Sequence, residues 1–545
     1  VTRTAPARRG FIGAAMLAAA VAVFAASGCG AGGPSTSASS ASAPSASAEA
    51  PAAAPPGLEI NDLHARINPV RVAQIEMPAT LAEVQAAVKR AKEKGLAMSI
   101  AGTRHAMGGQ QFGAGTVLFD MTAMHDVLRL DRQNKLVEAE AGITWPDLLD
   151  FLHANQAESE GVLTIRQKQA GADRMTLGGA LGANAHGRGL TLKPIASDVE
   201  SIILVDGDGV AMRCSRTERP DVFRLAIGGY GLFGVIATVT LRLVPRQRLE
   251  HDVAMVDASG LAAAFQQRIA AGSLYGECRL AIDPSSDDFL RRGILSSWGK
   301  APPSNVPMQP PREMSHDDWR ELMFLAHTDP ARWFARRRDF DMATQKEIIW
   351  SDDAQSDIYL EGYHDGIDVR MGAKQPGSDV MSELCVPPES LTTFLEDVRG
   401  WMKSENVHPI EAVVRLIEKD DDTFFTWARK RFACVTFAQH LERTPAGIEQ
   451  AAARGRRLID MSLKRGGTFF PGYGRDATAQ QMEAAFPQFR DFLSRKTQYD
   501  PAGRFQSEWY RYYRGAFGAT APAATPGAPA TPPGSAPPPA PGPSH

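Results

Sequence analysis

Apolar residues recur at helical spacing after Thr80. Leu81, Val84, Val88 and Ala91 fall on one face, and Gly95 closes the run. Thr80-Leu81-Ala82-Glu83 has the form of a capping box for that helix. The period then changes. Residues 97–100 and 117–121 are short apolar runs that predict buried strands, residues 136–141 predict another strand, and 145–154 a helix. Residues 199–205 and 210–214 flank Asp206-Gly207-Asp208-Gly209, which predicts a hairpin. Residues 234–244 alternate Val, Ile, Thr and Leu as a strand that ends at Pro245. Residues 246–465 mix strands such as 410–417 with amphipathic helices such as 391–402. Residues 466–518 are aromatic-rich and globular in composition. The order predicts an α+β fold, without the regular βαβ spacing of a Rossmann domain.

Both ends break the pattern. Arg8-Arg9-Gly10-Phe11-Ile12 followed by an apolar run over residues 13–26 reads as a twin-arginine export signal. Ala26-Ser27-Gly28-Cys29 is similar to a lipobox, which places a lipid on Cys29 and the chain at a membrane. An uncleaved anchor, or ordinary cleavage near Ala26, fits the same residues. Residues 1–29 are thus the signal, 30–56 a Ser/Ala/Pro-rich disordered tether, and 519–545 a disordered Pro/Ala-rich tail. The twin-arginine route carries folded proteins, which suits a protein that loads a cofactor before export.

The length of 545 residues predicts two or three domains. With 59 Lys+Arg against 62 Asp+Glu, the charge gives no case for a nucleic-acid partner. The cysteines are Cys29, Cys214, Cys278, Cys385 and Cys434. They form no Cys/His metal spacing, so no metal is expected. One or two disulfides and buried thiols both remain open.

Two glycine-rich runs carry candidate chemistry. The first is Ala101-Gly102-Thr103-Arg104-His105, continuing to Gly108-Gly109. It offers close backbone approach, a hydroxyl, a cation and an imidazole in one turn, which suits a pyrophosphate. A satisfied turn histidine is the plainer reading of His105. The second is Thr176-Leu177-Gly178-Gly179-Ala180-Leu181-Gly182-Ala183-Asn184-Ala185-His186-Gly187-Arg188-Gly189, whose small residues let a flat ring lie against the backbone. Gly231-Leu232-Phe233-Gly234-Val235-Ile236 then enters a strand. Two further segments stand out. Phe470-Pro471-Gly472-Tyr473-Gly474-Arg475 is an aromatic turn with a cation. In Val413-Val414-Arg415-Leu416-Ile417 a cation sits in an apolar strand, where it needs a partner.

In this order the motifs resemble the vanillyl-alcohol oxidase / p-cresol methylhydroxylase superfamily of FAD-dependent oxidoreductases, nearest the branch of sugar-lactone and alditol oxidases. The resemblance covers residues 68–245 and returns at 413–420 and 466–510. It implies a two-subdomain PCMH-type FAD-binding domain over residues 57–245, a substrate domain over 246–465, and a C-terminal segment, 466–518, packing near the flavin. It implies that Ala101, Gly102, Thr103, Arg104, His105 and Gly109 bind FAD, with His105 bonded covalently to the flavin. It assigns Thr176, Gly179, Ala183, Asn184, Ala185 and His186 to the flavin ring and phosphates, and Ile236 to the adenine end. Arg475 stands where the family has a lysine, and Tyr473 and Gly472 where it has tryptophan and histidine. Arg415 keeps the family's substrate-strand arginine, Val413 replaces its glutamate, and Glu383 is either the replacement carboxylate or a partner in a structural salt bridge. His440 is a weaker substrate candidate. The implied activity is oxidation of an alcohol-type sugar, polyol or lactone-like substrate by hydride transfer to flavin N5, with oxygen or another acceptor taking the electrons. A dehydrogenase feeding a protein or quinone, or a silent binding lipoprotein of the same fold, are the alternatives.

Overall fold

The computed structural model describes residues 57–157, 161–303 and 308–518. The export signal with Cys29, the tether and the tail lie outside the described residues. No helix among the described residues is long and apolar enough to cross a membrane.

The helix predicted after Thr80 spans Leu81–Glu93, burying Val84, Ala87, Val88 and Ala91. Thr80 Oγ1 accepts from the Glu83 N–H at 3.2 Å, but Glu83 reaches back to the Ala79 N–H, 2.8 Å away. The reciprocal bond of the expected capping box is therefore shifted by one residue. Gly95 follows the helix with φ +66°, a left-handed exit that costs glycine little.

Strands Gln74–Glu76, Val117–Asp120 and Met98–Ala101 form a parallel sheet in that spatial order. The chain's C-terminal part returns to its edge. The Met98 N–H donates to the Arg504 carbonyl at 2.6 Å, and the Gln506 N–H donates to the Met98 carbonyl at 2.8 Å. An antiparallel sheet follows, ordered Ala211–Ser215, Val199–Val205, Val235–Pro245, Leu136–Glu140, Val127–Asp131. Leu163–Ile165 pairs with the far end of Val235–Pro245.

Eight antiparallel strands from residues 248–469 make the largest sheet. At its centre, Ser273–Leu280, Pro409–Ile417, Phe432–Glu442 and Gly377–Val386 are neighbours. Register decides what they present. Glu383 pairs with Thr436, Val413 with Thr436, Arg415 with Cys434, and Arg279 with Val413. Directly paired residues share a face, and side chains alternate along a strand. Glu277, Arg279, Arg415 and Glu383 therefore project from one face. Leu384, Val414, Val435 and Cys278 enter the apolar core on the other.

Cys385 and Cys434, also paired across strands, form a disulfide, while Cys214 and Cys278 are buried thiols. An aromatic cluster fastens the C-terminal helices to this core. Phe425 meets Phe492 at 4.9 Å, and Trp509 meets Tyr230 at 5.1 Å.

Candidate functional site

The strand Met98–Ala101 ends in a turn where Arg104 takes φ +58°, a conformation rare for a residue with a Cβ. Gly102 is needed there, because a Cβ would overlap Thr176 Oγ1. Thr176 in turn caps the short helix Leu177–Gly182, its Oγ1 accepting from the Gly179 N–H at 3.2 Å. The two glycine runs are thus packed directly against each other. Between them and the large sheet lies a slot. It is lined by Ala101, Gly102, Thr103, Arg104 and His105 from the first run, and by Thr176, Gly179, Ala183, Ala185 and His186 from the second. Ile236, Glu383 and Arg415 complete the predicted residues along it. The same 102–105 turn borders a wider cleft of about 910 Å³.

Three predicted residues do not face the slot. Asn184, at φ +46°, turns its amide inward. Its Nδ2 donates to Asp420 at 2.9 Å and its Oδ1 accepts from the Ala196 N–H at 3.1 Å. It holds the turn that carries Ala183 and His186. Gly109 and Arg475 lie together: at φ +73°, a Cβ on Gly109 would come 2.9 Å from Arg475 Nη1. From the Arg475 segment, Phe470, Gly472 and Tyr473 reach the slot instead. Gln110 fixes that segment to the histidine turn, donating to the Pro471 and Gly472 carbonyls at 3.0 and 3.1 Å.

His105 stands edge-on to Tyr359, with ring centroids 4.9 Å apart. Its Nε2 is buried without a hydrogen-bond partner. Burial, helped by His64 nearby, lowers its pKa to about 4, so the ring is neutral at physiological pH.

At the sheet end of the slot, His186 Nε2 lies 2.8 Å from Glu383 Oε1, and His186 Nδ1 lies 3.2 Å from the Gly187 carbonyl. Both ring nitrogens thus face oxygen acceptors, and the tautomer sets which of them donates. Burial by itself raises Glu383, but the adjacent His186 and its hydrogen bond outweigh it and hold the carboxyl below its usual range. Arg415 does not take Glu383 as its hydrogen-bonded partner. Its Nε donates to Glu277 at 2.9 Å. Glu277 also accepts from Arg188 at 3.0 Å and Arg279 at 3.2 Å. Against the cost of burial, these three guanidiniums keep Glu277 well below the carboxylate range. Arg188 is held from its other side by Asp357. His440 lies away from the slot, on Asp379.

Sequence reasoning missed Glu277, Arg188, Gln110, Tyr230 and Tyr359. Glu277 carried no signal like that of Arg415, because Tyr275-Gly276-Glu277-Cys278-Arg279-Leu280 is not an apolar run in sequence and only the structure shows it buried.

The residues present fit FAD. Small residues keep one wall low, and a Cβ on Gly182 would meet nothing within 4 Å. His105 Nε2 and the Tyr230 hydroxyl are buried, unpartnered polar atoms on the lining.

Comparison with known proteins agrees with that fit. Residues 72–215 match the FAD binding domain family. The chain is 32% identical over 196 residues to the mitochondrial L-galactono-1,4-lactone dehydrogenase of Brassica oleracea, covering 35% of this chain and 31% of the relative. It is 32% identical over 172 residues to the L-gulonolactone oxidase of Mus musculus, covering 32% and 37%. An uncharacterized oxidoreductase of the fasciation locus in Rhodococcoides fascians is 28% identical over 235 residues, 42% of this chain and 50% of that one. The chain spans about a third of the length of the first two curated relatives.

Proposed function

We propose, from the premise that this chain carries a PCMH-type FAD-binding domain homologous to those of sugar-lactone dehydrogenases and oxidases, that it oxidises a lactone- or sugar-like alcohol. In this reading residues 57–245 form the two-subdomain FAD unit, 246–465 the substrate domain, and 466–518 a segment packed near the flavin. The observation that carries it is the slot itself. A glycine–histidine turn borders it, and the His186–Glu383 pair and Arg415 stand at its sheet end.

FAD, which the two glycine runs lining the slot would hold, would supply a two-electron, hydride-accepting group beside the substrate. The chain's own residues position and move protons. Glu383, ionised and buried, takes the hydroxyl proton, with His186 hydrogen-bonded beside it. Arg415, fixed by Glu277, polarises the substrate oxygen. Arg475 steadies the Gly109 turn from behind. The neutral, unpartnered Nε2 of His105 is the nucleophile that covalent attachment to the flavin requires. Residues 1–29 direct twin-arginine export, and Cys29 carries the lipid anchor.

The test is the visible spectrum of the purified full chain, followed by anaerobic mixing with L-galactono-1,4-lactone, L-gulono-1,4-lactone, polyols and secondary alcohols. Flavin absorbance that bleaches with a lactone supports the reading. A colourless protein overturns it, and a flavin that none of these substrates bleaches removes the substrate class. Peroxide release on turnover separates oxidase from dehydrogenase. Labelled palmitate incorporated by the wild type and lost in Cys29→Ser tests the anchor.

A further inference from the structure

Outside the slot, three elements bring two imidazoles and a carboxylate to one point. His327 comes from the helix His316–Thr328, Asp379 from the strand Gly377–Val386, and His440 from the strand Phe432–Glu442. Asp379 and His440 are direct cross-strand partners. Asp379 is 1% exposed, so its charge needs compensation. His327 Nε2 lies 3.1 Å and His440 Nδ1 3.0 Å from the same oxygen, Asp379 Oδ1. These three atoms all lie within 4.8 Å of one another.

The surroundings orient them. Asp379 Oδ2 accepts from the Tyr363 hydroxyl, leaving Oδ1 for the histidines. The Asp379 N–H donates to His364 Nε2 at 3.0 Å, which fixes the carboxylate's own backbone. His327 Nδ1 lies 2.7 Å from the Met323 carbonyl. A carbonyl only accepts, so Nδ1 carries the ring proton, and in the neutral ring Nε2 aims a lone pair at a carboxylate oxygen. Two acceptor atoms facing each other at that distance call for a cation between them, a proton or a metal ion.

We propose that His327 Nε2, His440 Nδ1 and Asp379 Oδ1 bind a divalent transition-metal ion of the zinc type. Two imidazoles and one carboxylate are a zinc donor set rather than a calcium or magnesium one. Donors held tetrahedrally at about 2.0–2.1 Å from zinc lie roughly 3.3 Å apart, so small shifts complete the site. The Nδ1–carbonyl bond of His327 is the outer support that metal-ligating histidines use. His440, with 31% of its side chain exposed, provides the entry path and leaves the fourth position to water, while His327 is closed off at 3%.

The ion acts as a clamp. The helix carrying His327 contributes His316, Arg320 and Met323 to the wall of the wide cleft, which the His105 turn also lines. Zinc ties that wall to the central sheet. The site is independent of the flavin reading, because no slot residue takes part. Its ligands are 52 and 61 residues from Asp379 in the chain, so no local spacing announces it.

The experiment uses the purified full chain with its flavin, stripped with a chelator and titrated with zinc by calorimetry. Elemental analysis after gel filtration gives the stoichiometry. One zinc per chain is expected, bound at least about tenfold more weakly in His440→Gln and His327→Gln. The thermal midpoint of the wild type should rise with zinc and that of His440→Gln should not. Zinc bound equally by wild type and variants, or no zinc retained by the wild type, overturns the proposal and leaves a proton as the shared cation. His440→Gln changes a partly exposed side chain, so it decides the matter even where His327→Gln fails to fold.

Discussion

Single residues in the slot are set by what they face. Glu383 is ionised and paired with His186, so Glu383→Gln should keep flavin absorbance while slowing substrate-driven flavin reduction by about 10²–10⁴-fold. Stopped-flow bleaching with the best substrate of the screen measures this, and an unchanged rate would remove Glu383 as the base. His105 is neutral with a free Nε2, so acid precipitation should leave the yellow colour in the wild-type pellet. His105→Ala should release it to the supernatant, and colour released by the wild type would rule out the bond. The sequence singled out both residues through a family resemblance. It could not pair Glu383 with His186, 197 residues away, nor give Arg415 its partner Glu277, 138 residues away.

Among elements, the contact between the two glycine runs supports the slot. Thr176 caps the helix Leu177–Gly182 and packs against Gly102. Thr176→Val keeps the shape but loses the cap, and should cost about 1 kcal/mol in urea unfolding. Gly102→Ala should do more harm, since its Cβ overlaps Thr176, and should weaken flavin retention on gel filtration. Retention equal to wild type would show that the turn adapts. The disulfide Cys385–Cys434 joins adjacent strands across 49 residues of chain. Closing a loop of that size restricts the unfolded chain, so Cys385→Ala with Cys434→Ala should lower stability by about 2–4 kcal/mol. Helix periodicity and strand alternation made many of these elements legible. The helix at Trp145–Ala154 matches its pattern residue for residue. The capping box at Thr80 was legible in type but not in detail, because backbone geometry moved the Glu83 bond to Ala79.

For the molecule as a whole, buried histidines tie stability to pH. Burial lowers His64 and His251 to about 4 from the ordinary 6.5. Below about pH 6.5 the unfolded chain takes up protons that the folded chain refuses until about pH 4, so stability falls across that window as pH drops. Each such histidine contributes up to about 1.4 kcal/mol per pH unit. Glu383 and Glu277, held low, lose their contribution only at lower pH still. Thermal melts of the flavin-loaded protein should therefore show a falling midpoint between about pH 7 and 5, and a flat profile would contradict the burial of these rings.

The sequence by itself determined the short-range features: helix and strand periods, the left-handed exit at Gly95, and the two small-residue runs that can lie beside a flat ring. These depend on neighbours within a few positions, where pattern and conformation are directly coupled. Only the tertiary structure decided which charges meet. Cross-strand register placed Glu277, Arg279, Arg415 and Glu383 on one sheet face. It also set His440 against Asp379, while hydrogen bonds to Asp420 and the Ala196 N–H turned Asn184 away from the slot. Register follows from how whole strands bury their apolar faces, and no local window of the chain contains that information.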